Sequence, residues 1–326
     1  MKNQGNGLRI TGIGYYLPPQ VETAADLSLK IGRSQQWIER RTGVIERRIS
    51  AVDVDVMGAE AGRMALGDGP PPDLIINASA VGKQALPDTS VFIQRELGFE
   101  GIPSFTIHAT CLSFLVALKT AASFIVTEAF QRILIISTDR GSRGRNLKEP
   151  ESAALLGDAA AAVVVESPRK GENSKLICWK MQTFPEGAEL TQLRGGGTHL
   201  PPHDPLMKME DNLFTMQGPR VYKMARQQVY TLIQELMQAQ NLDRSDIDLV
   251  IPHQTSGYGV QAYVKYGGFA QNQVVDIVGR TGNCVAASIP LALALAHEEG
   301  RFQRNDLLLL IGTGAGLSIA AALLRF

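Results

Sequence analysis

The chain has 326 residues, 44% hydrophobic and 20% charged, a balance that excludes intrinsic disorder and supplies one large core or two medium ones. Its 32 Lys and Arg equal its 32 Asp and Glu, so no global field draws nucleic acid or an anionic membrane, and neither is expected as a partner. The three cysteines, Cys111, Cys178 and Cys284, lie too far apart for a disulfide framework or a zinc site, which points to a reducing setting.

In chain order, residues 1–7 lack the apolar stretch of a secretory signal, so a cytoplasmic location is expected. A short apolar run at 74–77 reads as a buried strand. Strand-like residues 105–108 lead to Cys111, and a helix of small and apolar residues is expected from Leu112. The stretch 111–130 is the longest candidate for a membrane span, and Lys119 and Glu128 disqualify it. Strands follow at 133–136 and 161–165, and then a polar run of turn formers at 167–174. Residues 211–240 read as one long helix, with Val221, Met224, Ala225, Val229, Leu232, Ile233 and Leu236 at helical spacing and a turn at 241–243. Further strands are expected at 249–251, 307–310 and 321–324. Strands alternating with helices over the whole length specify an α/β fold with buried sheets.

Two pairs of segments match in the same order. Thr110-Cys111 opens a helix that runs to Phe130-Gln131-Arg132 and a strand, and Asn283-Cys284 opens another that runs to Phe302-Gln303-Arg304 and a strand. Asp73-Leu74-Ile75-Ile76 likewise parallels Asp248-Leu249-Val250-Ile251. The repeat implies two homologous halves, 1–172 carrying the nucleophile and 173–326 carrying the histidine and asparagine.

A thiol at a helix N-terminus feels the positive end of the helix dipole, which favours the thiolate, and nearby free N–H groups can hold an oxyanion. Cys111 fits that description, although on the residues alone a buried structural cysteine remains open. Cys178 and Cys284 read as structural. His253 emerges at the end of a strand, where α/β folds build their sites. Asn283 alone would pass for a cap or turn residue. His108 reads as packing, and His199, His203 and His297 take no role. The glycines at 312, 314 and 316 follow a strand but precede a second strand-like run, so they open no dinucleotide-binding helix; they let backbone approach a ligand.

Together these residues resemble the β-ketoacyl-acyl-carrier-protein synthase III branch of the thiolase superfamily. The resemblance is carried by Ile10-Thr11-Gly12-Ile13-Gly14, Trp37-Ile38-Glu39-Arg40-Arg41-Thr42-Gly43, Ala109-Thr110-Cys111, Leu156-Gly157-Asp158, His253-Gln254, Gly282-Asn283 and the terminal glycines. It implies a five-layer α-β-α-β-α sandwich of two duplicated halves, working as a homodimer without metal or bound cofactor. It also implies a decarboxylative Claisen condensation. Cys111 would be acylated by an acyl-CoA primer, and His253 and Asn283 would hold the thioester carbonyl of malonyl-CoA or malonyl-ACP. The backbone N–H groups of Cys111 and Ala315 would hold the oxyanion. Trp37, Arg41 and Thr42 would line a coenzyme A arm. Leu86 would close the partner's acyl pocket, and Leu156, Ser256 and Thr313 would contact substrate.

Departures from the family pattern point to specialised fatty-acid or polyketide-type metabolism. Leu86 and Thr313 stand where bulkier residues are usual, which implies primers longer or wider than acetyl. Tyr258 replaces a basic residue used in carrier docking, and Glu149 and Glu151 stand where an arginine is usual. Alternatives are a non-decarboxylating condensation of two acyl thioesters, acyl transfer to an oxygen or nitrogen nucleophile, and a silent partner subunit. The sequence leaves acyl length, carrier identity and pathway open.

Overall fold

The structure, a computed structural model, describes residues 6–326. Two five-stranded sheets form its frame. The first runs in the order Arg9–Tyr16, Asp158–Glu166, Arg132–Arg140, Leu74–Asn77, Ser104–Thr106. The second runs Asn6–Gly7, Lys175–Thr183, Ser318–Arg325, Leu307–Gly314, Leu249–Pro252. Corresponding strands occupy corresponding places: Leu74–Asn77 pairs in parallel with Arg132–Arg140, and Leu249–Pro252 does so with Leu307–Gly314. The fifth place, filled by Ser104–Thr106 in the first sheet, shrinks in the second to a single parallel bridge between Val250 and Val274. The polar run at 167–174 carries the chain from one sheet to the other.

Side-chain chemistry explains the layering. All four residues of Leu74–Asn77 are buried, as are the first eight of Asp158–Glu166, which suits strands covered on both faces. Helices Ser113–Val126 and Ser288–Glu298 lie between the sheets, the latter with nine consecutive buried residues, and one core joins them to strands of both sheets. A helix apolar all round must sit in the interior. Helices Val54–Leu66 and Thr89–Leu97 cover the outer face of the first sheet through Met57, Ala61 and Ile93. Helices Gly218–Gln240 and Gly257–Lys265 cover the second through Leu232, Leu236 and Val260. The result is a five-layer α-β-α-β-α sandwich. Gly14 permits the close approach of the first outer helix, since a Cβ there would lie 2.9 Å from Met64 Cβ.

The long helix starts later than its periodicity predicts. A 3₁₀ turn at Met209–Asn212 and a strand at Thr215–Met216, paired with Thr191–Gln192, precede it, and Pro219 stands in its first turn. Proline's fixed φ suits a first turn and its missing N–H costs nothing there. The helix ends at Asn241, whose φ of 52° is left-handed, in the expected turn. No helix among the described residues is long and apolar enough to cross a membrane.

Candidate active site

Cys111 sits in a tightly fastened turn. Thr110 has φ 52°, Leu112 N–H donates to Ala109 O (3.1 Å), and Ser113 N–H donates to Thr110 O (3.1 Å). The Ser113 hydroxyl accepts from Ala109 N–H (2.9 Å) and donates to Thr110 O (2.7 Å). The helix Ser113–Val126 starts immediately after, so the thiol lies at a helix N-terminus. The backbone N–H groups of Cys111 and Ala315 both donate towards its sulfur. Ala315 occupies the turn of a hairpin whose arms are Leu307–Gly314 and Ser318–Arg325, so the glycine run opens no helix.

His253 follows the strand Leu249–Pro252, is 2% exposed, and donates its backbone N–H to Ile311 O (2.8 Å). Burial pushes its pKa down to about 4, and its Nδ1 has no partner among the described residues. The ring is therefore neutral at physiological pH, with one N–H to donate. Gln254 fixes the turn that follows: its amide donates to Pro252 O (2.9 Å) and Val275 O (3.1 Å), and its oxygen accepts from Ile277 N–H (2.9 Å). Asn283 is bridged to the 155–157 segment through Asn283 N–H to Leu155 O (2.8 Å) and Gly157 N–H to Asn283 O (3.0 Å). Its Oδ1 accepts from Val285 N–H (2.9 Å), which leaves the NH₂ turned to donation.

Gly312 is where these parts meet. A Cβ there would lie 2.8 Å from His253 Cβ, 3.2 Å from Ile289 Cδ1 and 3.3 Å from Leu112 Cδ2. The histidine, the residue after Cys111 and the helix following Asn283 thus close around one glycine.

Asp139 is the site residue that the sequence reading missed. Its carboxylate, 1% exposed, accepts from Ala80 N–H (3.1 Å), Val81 N–H (3.1 Å) and Ala286 N–H (3.0 Å), tying the loop after Leu74–Asn77 to the Asn283 loop. Burial raises its pKa to about 7. The available signal is a carboxylate three residues beyond the apolar run 133–136 in the same strand. Cys111 departs from its sequence expectation as well: burial, and then the Asp139 charge, raise its pKa to about 12. Desolvation outweighs the helix terminus and the two N–H groups, and the resting residue is a thiol.

A cavity of about 450 Å³ adjoins this centre, with His253 and Thr313 in its wall. Arg41, Thr42, Glu151, Leu155 and Ser256 line one side. Thr42 is fixed by donation to Ile38 O (2.7 Å), and the Ser256 hydroxyl caps its helix by accepting from Gly259 N–H (3.1 Å). Arg41 is paired with Glu151 at 2.9 Å. The helices Gly218–Gln240 and Gly257–Lys265 form the other side through Ala225, Val229, Ile233, Ala262 and Tyr263. Trp37, Leu86 and Leu156 lie outside this wall. Trp37 packs against the small core of Leu27, Ile38 and Ala153, with the Arg33 guanidinium 5.5 Å from its ring centre. Leu86 is 83% exposed on a surface loop, and Leu156 is buried beside Asn283, to which its backbone is bridged.

The family model for 3-oxoacyl-[acyl-carrier-protein] synthase III matches residues 105–184, and that for the C terminal of the same enzyme matches 237–326. The β-ketoacyl-[acyl-carrier-protein] synthase III of Pasteurella multocida (strain Pm70) is 34% identical over 98% of this chain and 99% of its own. The crystal structure of 3-oxoacyl-[acyl-carrier-protein] synthase III from Aquifex aeolicus VF5 superposes with a TM-score of 0.89 at 30% identity, covering 98% of this chain and all of that one. The priming β-ketosynthase of the R1128 polyketide biosynthetic pathway gives 0.88 at 27% identity, over 98% and 96% of the two chains. A thiol between two backbone N–H donors, a neutral histidine and an asparagine amide thus stand on a thiolase-fold frame shared with these enzymes over its whole length, and the chain belongs to the 3-oxoacyl-[acyl-carrier-protein] synthase III family of acyltransferases.

Proposed function

We propose that Cys111 carries the acyl group of a decarboxylative Claisen condensation, with His253 and Asn283 as electrophilic donors to the second thioester. The observation that carries this reading is the character of the donors: His253 is kept neutral by burial, and Asn283 has its oxygen occupied, which leaves its amide hydrogens to donate. Decarboxylation needs donors aimed at a developing enolate, not a proton acceptor.

In the first step Cys111 Sγ bonds to the acyl carbonyl carbon, the donor's C–S bond breaks, and the thiol proton ends on the departing thiol. The N–H groups of Cys111 and Ala315, already directed at the sulfur, hold the tetrahedral oxyanion. In the second, the malonyl thioester loses carbon dioxide and the electron pair moves into an enolate held by His253 and Asn283. The enolate carbon bonds to the acyl carbonyl, the C–Sγ bond breaks to leave the Cys111 thiolate, and this takes a proton from solvent. Asp139 keeps the Asn283 loop in register with the nucleophile turn. The substrates are an acyl-CoA and a malonyl thioester on coenzyme A or a carrier protein, the acting form is a cytoplasmic homodimer, and no metal or bound cofactor takes part.

Intact-protein mass after incubation with acyl-CoAs from acetyl to long chain, with Cys111→Ala as control, followed by malonyl-CoA or malonyl-carrier protein, tests the reading. Cys111-dependent acylation discharged only by the malonyl thioester, with a β-ketoacyl product, is expected. Discharge by an alcohol or amine instead would overturn it.

A further inference from the structure

The segment bearing Asn283 is held between two buried charges. On one side Asp139 accepts from the Ala286 N–H (3.0 Å). On the other stands Arg47, in the short strand Glu46–Ile49, with its side chain fully buried. The Arg47 Cβ lies 3.3 Å from where a Cβ on Gly157 would stand and 3.6 Å from where one on Gly282 would stand, so the stem of the arginine covers both glycines. Those glycines flank Asn283: Gly282 precedes it in the chain, and Gly157 donates its N–H to Asn283 O (3.0 Å). The guanidinium reaches the same segment, where Nη1 donates to Ala154 O (2.9 Å), one residue before the Leu155 carbonyl that accepts the Asn283 N–H (2.8 Å).

Arg47 is anchored in turn by Glu22, which stands opposite it in the strand pair Gln20–Thr23 and Glu46–Ile49. The Glu22 carboxylate lies 4.0 Å from Arg47 Nε and is itself held by Lys30 (2.6 Å) and by Arg145. Burial draws the Arg47 pKa down to about 10, which leaves the residue cationic at neutral pH. Stability alone accounts poorly for such an arginine. Its Nε and Nη2 have no hydrogen-bond partner among the described residues, and an apolar side chain of the same length would fill the space without burying a charge. Such a side chain would lack the donor on Ala154 O and the charge that faces Glu22.

We propose that Arg47, anchored by Glu22, is a positioning residue for Asn283, fixing through Gly157, Gly282 and Ala154 O the direction in which the Asn283 amide donates. The proposal rests on the role given above to Asn283. Acylation of Cys111 uses backbone N–H groups of other segments, so a defect at Arg47 falls on the condensation step.

The test compares the full-length enzyme with Arg47→Met, which keeps the length and removes the donor and the charge. Acylation by acetyl-CoA, followed by intact mass, is expected to stay within about threefold, while discharge by malonyl-CoA slows at least about tenfold in kcat. Introduced into Asn283→Ala, Arg47→Met should slow discharge less than about twofold further, since it acts through that asparagine. Undiminished discharge, equal slowing of both steps, or slowing that multiplies fully with that of Asn283→Ala would overturn the proposal. Should Arg47→Met not fold, as judged by thermal melting, Glu22→Gln carries the same test, with the discharge step slowed at least about threefold and acylation unchanged. If malonyl-CoA fails to discharge even the parent acyl-enzyme, the condensation reading falls by itself, and hydrogen exchange decides the positioning. Amides in 155–157 and 282–285 must then exchange at least about tenfold faster in the variant, with 109–115 unchanged; unaltered exchange at Asn283 refutes it.

Discussion

Asn283 spends its carbonyl oxygen on the Val285 N–H, 2.9 Å away, so its amide hydrogens are what it can offer a ligand. With the neutral His253 ring it forms a pair that stabilises negative charge without taking up a proton. Replacing either residue by alanine is expected to leave Cys111 acylation intact and slow decarboxylation by about 10²–10³, as for loss of one oxyanion donor, read as accumulated acyl-enzyme by mass. Because the His253 pKa lies near 4, the condensation rate should show no histidine limb between pH 5 and 8. Asp139 acts on the nucleophile through its charge. Its carboxylate raises the Cys111 pKa, so Asp139→Asn is expected to lower that pKa and speed alkylation of Cys111 by iodoacetamide at pH 8. An unchanged or slower rate would contradict this assignment of cause. The donor pair was legible through the family resemblance, but the raised thiol pKa and Asp139 were not, since a helix N-terminus implied a lowered thiol pKa; burial, which decides the sign, depends on what packs above the turn.

At the scale of elements, the nearly continuous apolar strands were legible because a strand covered on both faces leaves an unbroken run: 74–77, 133–136 and 307–310 all fall inside observed strands. The helix Gly218–Gln240 was legible as a helix and misleading as a face. Val221 and Ala225 have core spacing, yet they border the cavity; Val229 borders it while packing against the core, and the fully buried contacts fall to Leu232, Leu236 and Met237 further along. Periodicity identifies an apolar stripe; what covers it depends on the neighbouring helix. The glycine run was read as a place where backbone approaches a ligand; in the structure the close neighbour of Gly312 is the His253 side chain, and Gly312→Ala tests how close. With its Cβ 2.8 Å from that of His253, the variant must displace the histidine or its own strand. A stability loss of about 1–3 kcal/mol in denaturant unfolding is expected, together with a condensation defect larger than the acylation defect.

In the whole molecule, the two sheets are bound through the pair of helices between them, and side chains cross the join. Trp179, on the second sheet, donates its indole N–H to Leu115 O in the nucleophile helix at 2.9 Å. Trp179→Phe should cost about 0.5–1.5 kcal/mol in unfolding free energy and leave acylation by mass intact. The internal repeat made the paired sheets legible from the sequence, whereas the inner position of the helices at 113 and 288 was hidden, since an apolar helix in isolation does not declare what lies on either side. The hairpin bearing Ala315 has one further consequence, which concerns synthesis. Cys111 leaves the ribosome roughly two hundred residues before Ala315, and the last strand, Ser318–Arg325, is an interior strand of its sheet, between Lys175–Thr183 and Leu307–Gly314. A nascent or prematurely terminated chain therefore carries the cysteine without its second N–H donor and without a closed sheet to bury it. Such fragments hold a thiol without its oxyanion partner, and the site is complete only once residues 315–325 have been made.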